Sequence, residues 1–311
     1  MGNDPWPKAG GWPEAPELPR PVIMDQRWTD AVFLHWRIPL AVAAAFMPDG
    51  VDPDEFDGSA LLGWTRVMDA EGWPEDQLES WDVGLTEAGH LTLMPYSSTW
   101  YQDYRGVLLF KEVTGDFAVT ADIEPLNRAG DGPPDANYSL AGLMVRAPRS
   151  ITAETWTSGG ESYVFFSVGA ADAPGTWQTE VKTTVASRST LEIESGWPGA
   201  ELRLARVGSA VVALVRPPGE AWQVHRRYDR SDMPSTLQVG MTVYTDWATC
   251  STRTAAQHNV TQITDGNPDL EARYDYVRFR TPSVPSSLAG TDLVDEATDA
   301  ELLGFLGTVL D

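Results

Sequence analysis

The feature that most narrows the choice of fold is a stretch from about Trp81 to Arg280 in which apolar and polar side chains alternate in short runs broken by turn residues. Phe117, Val119, Ala121 and Ile123 alternate with Ala118, Thr120, Asp122 and Glu124, which gives one buried and one wetter face. Similar runs lie near 90–94, 106–112, 139–147, 161–169, 177–185, 189–194, 200–206, 209–216, 221–228, 236–245 and 272–280, about a dozen strands in all. Gly208-Ser209 and Pro217-Pro218-Gly219 are tight-turn signals between neighbouring runs, so the strands join as antiparallel hairpins and not through helical crossovers. A dozen such strands without intervening helices predict an all-β, two-sheet antiparallel sandwich.

The flanks read differently. Six prolines within residues 1–21 remove backbone donors and favour an extended arm. Trp28, Val32 and His35 or Trp36 recur at helical spacing, Pro39 suits the first turn of a second short helix ending near Pro48-Asp49-Gly50, and a strand follows near Ser59 to Thr65. Beyond the sandwich, a Pro- and Ser-rich linker leads to a last helix. Thr298 and Glu301 have capping-box spacing there, and Leu302, Leu303, Phe305, Leu306, Val309 and Leu310 form an apolar stripe. So short a helix must dock to persist, on its own domain or on a protein partner. The expected organisation is an arm (1–21), an N-terminal segment (22–64), the sandwich (65–282) and a linker with an amphipathic helix (283–311).

Charge excludes several functions. Asp and Glu number 45 against 22 Lys and Arg, a formal charge of -23, which repels phosphate backbones and argues against nucleic acid and polyanionic ligands. Cys250 is the single cysteine, so no intramolecular disulfide or Cys-rich metal site forms. His35, His90, His225 and His258 lack zinc-site spacing. The most apolar window, Ala31 to Met47, is interrupted by His35, Arg37 and Pro39 and falls short of the ~20 residues of a membrane span. With no signal peptide in the given N-terminus, a soluble, cytoplasmic protein is expected.

Gly115-Asp116-Phe117, YSLAGLMVR (Tyr138 to Arg146), YVFFSVG (Tyr163 to Gly169), ELRLARV (Glu201 to Val207) and YDYVRF (Tyr274 to Phe279) occur in an order that resembles the concanavalin A-like domains of the regulation-of-enolase-type family. The resemblance implies a jelly roll over about residues 65–282, with sugar bound on a concave sheet face or in rim loops. A second resemblance, to the opening of the YqjF-like family, rests on MDQRWTD (Met24 to Asp30), FLHW (Phe33 to Trp36) and FDGSA (Phe56 to Ala60). It implies an acetoacetate-decarboxylase-like barrel, but Arg37 stands where that family has proline and some forty residues cannot close a barrel. The segment is therefore expected to pack on the sandwich.

Candidate site residues follow from aromatic and polar patterning. Trp100, Tyr101, Asp103 and Tyr104 suit stacking on a sugar ring while bonding its hydroxyls. Alternation puts Glu180 and Lys182 on one face opposite Val181, Arg146 on the outward set of its strand and Tyr244 on that of another, so these four line one cleft if their strands are neighbours. Trp247, at the start of a long loop running to about Asp269, supplies a second platform. Glu180 with Asp103 is the pair a glycoside hydrolase would use. Asp265, Asn267, Asp269 and Asp275 are oxygen ligands for a structural calcium. The leading expectation is a lectin-like carbohydrate-binding protein; the alternatives are a glycan-active hydrolase and an assembly scaffold that docks through its C-terminal helix.

Overall fold

The computed structural model describes residues 34–38, 60–64, 81–86, 88–151 and 154–308. The arm and the helices expected up to residue 33 and over 39–50 lie outside the described residues. Leu34–Ile38 (β1) is a strand, not the end of a helix. Leu34, Trp36 and Ile38 alternate with His35 and Arg37, and the segment pairs antiparallel with Ala60–Trp64 (β2), from Leu34 opposite Trp64 to Ile38 opposite Ala60. Cross-strand pairing decides the conformation here over the weaker helical spacing.

The remaining strands are Trp81–Leu85 (β3), Leu91–Pro95 (β4), Val107–Thr114 (β5), Phe117–Leu126 (β6), Ser139–Arg146 (β7), Tyr163–Ala170 (β8), Gln178–Val185 (β9), Arg188–Ser195 (β10), Ala200–Val207 (β11), Ala210–Arg216 (β12), Gln223–Asp229 (β13), Thr236–Tyr244 (β14) and Glu271–Arg280 (β15). They build two antiparallel sheets. One has the order β10-β9-β8-β7-β14-β5 and the other β13-β12-β11-β6-β15-β4-β3. The expected jelly-roll sandwich is what the chain forms, and every run picked out by alternation becomes a strand. β3 is an addition at a sheet edge.

The core lies between the sheets. Val107, Leu109, Leu143, Val145, Val164, Phe166, Val181, Val239 and Met241 on one side meet Phe117, Val119, Ile123, Leu202, Leu204, Val211 and Ala272 on the other. Tyr274 crosses this layer, its hydroxyl lying 3.1 Å from both Gly142 O and Thr242 O, which ties the sheets together with a satisfied buried polar group. Among the described residues no helix is long and apolar enough to cross a membrane.

Both outer faces are covered. Over the seven-stranded sheet, Asp299–Leu306 (α3) starts at a capping box of Thr298 and Glu301 and buries Leu302, Phe305 and Leu306 against Ala205, Val212, Leu214 and Trp222. Leu302, Phe305 and Leu306 of the stripe read as a docking face are thus buried on the parent domain, Val309 and Leu310 lie outside the described residues, and Arg203 and Arg280 donate to the Leu306 carbonyl. Over the six-stranded sheet runs a strap, residues 97–106, flanked by two one-turn helices, Trp247–Cys250 (α1) and Ala255–His258 (α2), inside the segment expected to be a loop.

Candidate functional site

The site is built on the outer face of the six-stranded sheet. Strand register sets it out in rows: Thr184, Tyr163, Arg146 and Gln238; then Lys182, Phe165, Met144 and Gly240; then Glu180, Ser167, Gly142 and Thr242; then Gln178, Gly169, Leu140 and Tyr244. Val181 points the other way, into the core. The structure therefore brings Arg146, Glu180, Lys182 and Tyr244 onto one face, as alternation alone suggested for strands that turn out to be neighbours.

Glu180 is fully buried. Its Oε1 takes the Lys182 ammonium at 3.0 Å and the Tyr244 hydroxyl at 3.3 Å, while its Oε2 is buried with no hydrogen-bond partner. Tyr244 reaches across two strands because Gly142, Gly169 and Ser167 occupy the positions between and leave room for its ring. Burial pulls the Lys182 ammonium below its ordinary range, against the opposing pull of Glu180, and burial followed by Glu180 pushes the Tyr244 phenol well above its own. Lys182 also donates to Trp100 O at 2.6 Å and lies 4.6 Å from the centre of the Phe165 ring and 5.0 Å from that of Tyr244.

A second buried group, not foreseen in the sequence, centres on Glu161. Its carboxylate accepts from Arg146 Nε at 2.9 Å and Arg149 at 2.9 Å, with Arg105 Nε at 3.8 Å, and Arg146 also donates to Gln238. Burial would raise the Glu161 carboxyl, but the Arg146 charge and hydrogen bond, helped by Arg105 and Arg149, hold it below the usual range. Glu161 opens the run read as 161–169 but lies two residues before the strand itself, and nothing in the sequence shows that it meets Arg146 and Arg149.

The strap lies over both groups. Trp100, expected as an open stacking surface, is only 2% exposed: its indole donates to Val107 O, it meets Tyr163 edge-on at 5.5 Å, and the Arg146 guanidinium sits 5.6 Å from its ring centre. It is a plug in the sheet face because an apolar cluster of Leu108, Leu140, Met144 and Phe165 receives it. The ring surface left at the mouth belongs to Tyr101, Tyr104 and Trp247, all half-buried, with Trp247 edge-on to the two tyrosines at 5.4 and 5.5 Å. Tyr138, missed in the sequence, joins them. It follows Asn137, whose backbone and side-chain oxygens accept from Trp247 N and Ala248 N, and burial together with the Glu180 charge raises its phenol.

Hydrogen bonds pin the strap on both sides. Toward the helices, Ser97 donates to Asp246 at 2.6 Å, Thr99 N to His258 Nε2 at 3.2 Å, Tyr104 to Arg253 O at 2.6 Å and Arg105 N to Asn259 Oδ1 at 2.8 Å. Toward the opposite edge, Gln102 N donates to Ser189 Oγ at 2.8 Å, and the Asp103 carboxylate accepts from Ser187 and from Gly159 N. Asp103 is thus bonded to Ser187 and Gly159 while Glu180 is held by Lys182 and Tyr244, so the two acids expected as a glycoside-hydrolase pair stand in separate hydrogen-bond networks. The calcium candidates are also apart. Asp269 accepts from Arg128 N and Asp135 N, Asp265 pairs with Arg253, Asn267 N donates to Asp246, and Asp275 bulges out of β15 beside His90. Among the described residues no group of three or more His, Cys, Asp or Glu is placed to hold a metal.

A cavity of about 580 Å³ opens on the other sheet between Asp122, Glu201, Arg216 and the Pro217-Pro218-Gly219 turn. Arg216 and Tyr276 both bond Glu201, and burial with the neighbouring Glu201 charge raises the Asp122 carboxyl.

Comparison with known proteins adds the following. The model of DUF2071, described as an uncharacterized conserved protein, matches residues 25–71, the segment that resembled the YqjF-like family. No curated protein matches the chain. Among solved structures, a functionally unknown protein from Saccharomyces cerevisiae shares 14% identity at a TM-score of 0.42, over 66% of this chain and 98% of that one. A basic winged bean lectin with Tn-antigen shares 11% at 0.39, over 64% and 90%. A xylan beta-1,4-xylosidase from Bacillus halodurans shares 14% at 0.39; the match takes in 62% of this chain and only 33% of the xylosidase.

Proposed function

We propose that the protein is a lectin-like glycan-binding sandwich whose site is rimmed by Tyr101, Tyr104, Tyr138 and Trp247. The observation that supports this best is the convergence of these half-buried rings, from the strap, the start of β7 and α1, beside a sheet face filled with polar groups. Aromatic faces take the C–H side of a sugar ring, and the exposed Gln102 at the strap tip is placed to bond its hydroxyls. A net charge of -23 selects against polyanionic glycans and leaves neutral or cationic ones. The same reading groups residues 65–282 with the regulation-of-enolase-type sandwiches, on the five motifs quoted above.

The test is a glycan array probed with the intact protein, with calcium and with chelator, alongside Trp247→Ala and Tyr101→Ala. Saturable binding that both substitutions weaken at least tenfold supports the reading, and chelator sensitivity adds a metal. No binding to any glycan overturns it. One observation favours the hydrolase as a second reading: the buried, unpartnered Oε2 of Glu180. Turnover of a bound glycan that Glu180→Gln abolishes in a folded protein would establish it.

A further inference from the structure

The sheet floor beneath the strap is expensive to build. Burying the Glu180–Lys182 pair forfeits the hydration of two charges, a cost that an apolar pair of the same volume would avoid. The floor is also incomplete, because a fully buried carboxylate oxygen, Glu180 Oε2, accepts nothing. Buried acceptors in native proteins are nearly always met by a donor, so this one points to a donor that arrives from outside the chain.

The cover over it has a weak and strained edge. At the strap tip, residues Tyr101 to Tyr104 form a tight turn closed by Tyr104 N donating to Tyr101 O, with Gln102 at φ 51°. The tip rests against the β9–β10 turn, where Ala186 and Ser187 have φ 46° and 60°. Three left-handed residues, none of them glycine, therefore meet at one seam, and strain of this kind collects at clamps and switches. The hydrogen bonds that join the seam among the described residues are ones that water can replace: Gln102 N to Ser189 Oγ, Ser187 Oγ to Asp103 and Gly159 N to Asp103. Trp100, by contrast, is anchored in its apolar cluster and stays as a wall.

We propose that the floor around Glu180 is an inner subsite for a hydroxyl-bearing sugar ring, uncovered when the Tyr101–Tyr104 tip releases the β9–β10 turn. This deepens the glycan-binding reading and rests on it. A ring hydroxyl donates to Glu180 Oε2. Lys182, the cation beside Glu180, is already shared between Glu180 and Trp100 O, so it offers the ligand no free positive charge, while Glu180 offers an acceptor. The subsite takes neutral sugars and rejects carboxylated ones.

The experiment locks the tip. Gln102 N lies 2.8 Å from Ser189 Oγ, so Gln102→Cys with Ser189→Cys places two thiols within disulfide reach, while the native Cys250 is buried and out of play. Two readouts are taken on oxidised and reduced forms of this full-length variant. The first is affinity for whichever neutral glycan the wild-type protein binds on the array. The second needs no glycan: acetylation of Lys182 by an N-hydroxysuccinimide ester, followed by mass spectrometry, which is simple because the chain has lysines only at 8, 111 and 182. Exposed Lys111 is the internal control. Oxidation is expected to weaken glycan binding at least tenfold and slow Lys182 acetylation at least tenfold, with Lys111 unchanged and both effects reversed by reductant. Equal Lys182 rates in the two forms overturn the opening of the tip. Equal glycan affinity with slowed acetylation overturns the inner subsite and leaves the rim reading intact. Slowed acetylation in a protein that binds no glycan overturns the glycan-binding reading itself.

Discussion

Acidification is expected to loosen the strap through His258. Both of its ring nitrogens are engaged: Nε2 accepts the Thr99 N–H at 3.2 Å, and Nδ1 faces Asn259 Oδ1 at 3.0 Å, to which it donates. A second proton would have to sit on Nε2, pointing at the Thr99 N–H. Burial, with a further push from Arg253 and partial relief from Asn259, lowers this histidine to about 4 from an ordinary 6.5. The unfolded chain takes up its proton near 6.5 and the folded one only near 4. The His258 contribution is thus fully present above about pH 6.5, is lost as the pH falls toward 4, and is flat below that. At 1.36 kcal/mol per pH unit the loss amounts to about 3 kcal/mol. The assay is urea unfolding of the wild-type protein and His258→Gln at steps of about half a unit between about pH 7.5 and about pH 4. Carboxylates titrate in both proteins, so the difference between the two curves isolates the histidine, and it is expected to shrink by that amount on acidification. A difference that stays constant over the range would refute the argument.

Other outcomes follow from the same geometry. Lys182→Met leaves Glu180 buried and unpaired and should cost about 3–5 kcal/mol, whereas pairing it with Glu180→Leu should recover most of that loss in chemical denaturation; a double variant as unstable as the single one would contradict the assignment of the cost to the orphaned charge. A β-carbon at Gly106 would lie 2.9 Å from Trp100 Cδ1 and 3.2 Å from the Thr99 carbonyl carbon, so Gly106→Ala should shift the strap, with about 1–3 kcal/mol lost and weaker glycan binding. Thr298→Ala removes the capping box of α3 and should lower stability by about 1 kcal/mol, while Phe305→Ala should cost about 3–5 kcal/mol by opening the cover of the seven-stranded sheet. Thermal denaturation reads both, and equal losses would place the weight on the cap alone.

Alternation carried the fold because side-chain period and strand register are the same physical fact. Val181 in the core and Glu180 and Lys182 outside it are legible from three adjacent letters. What alternation lacks is neighbour order: that β9, β8, β7 and β14 lie side by side depends on connections and pairing, and only this order puts Tyr244 within reach of Glu180. The fate of Trp100 was hidden for a related reason. A loop tryptophan is open or buried according to the surface beneath it, and that surface, Leu108, Met144 and Phe165, is contributed by three separate strands. α1 and α2, each four residues long, are too short to show any period. At β1 two patterns overlapped, Trp28, Val32 and Trp36 at helical spacing against Leu34, Trp36 and Ile38 at strand spacing, and pairing with β2 settles it.

The lane of small residues that Tyr244 crosses also sets which parts of the site are free to drift. A β-carbon at position 142 would fall 2.0 Å from Phe166 O, and one at 169 would fall 2.2 Å from Ser139 O. Any side chain there must shove a neighbouring strand's backbone aside before it can block the ring, so the distance from Tyr244 to Glu180 is fixed by the sheet's own mainchain. The strap tip has no such guard: Gln102 is exposed, and Ser187 and Ser189 meet it through single hydrogen bonds. Under the proposed glycan binding, substitutions that change ligand preference should therefore fall in the tip, over a floor that stays the same.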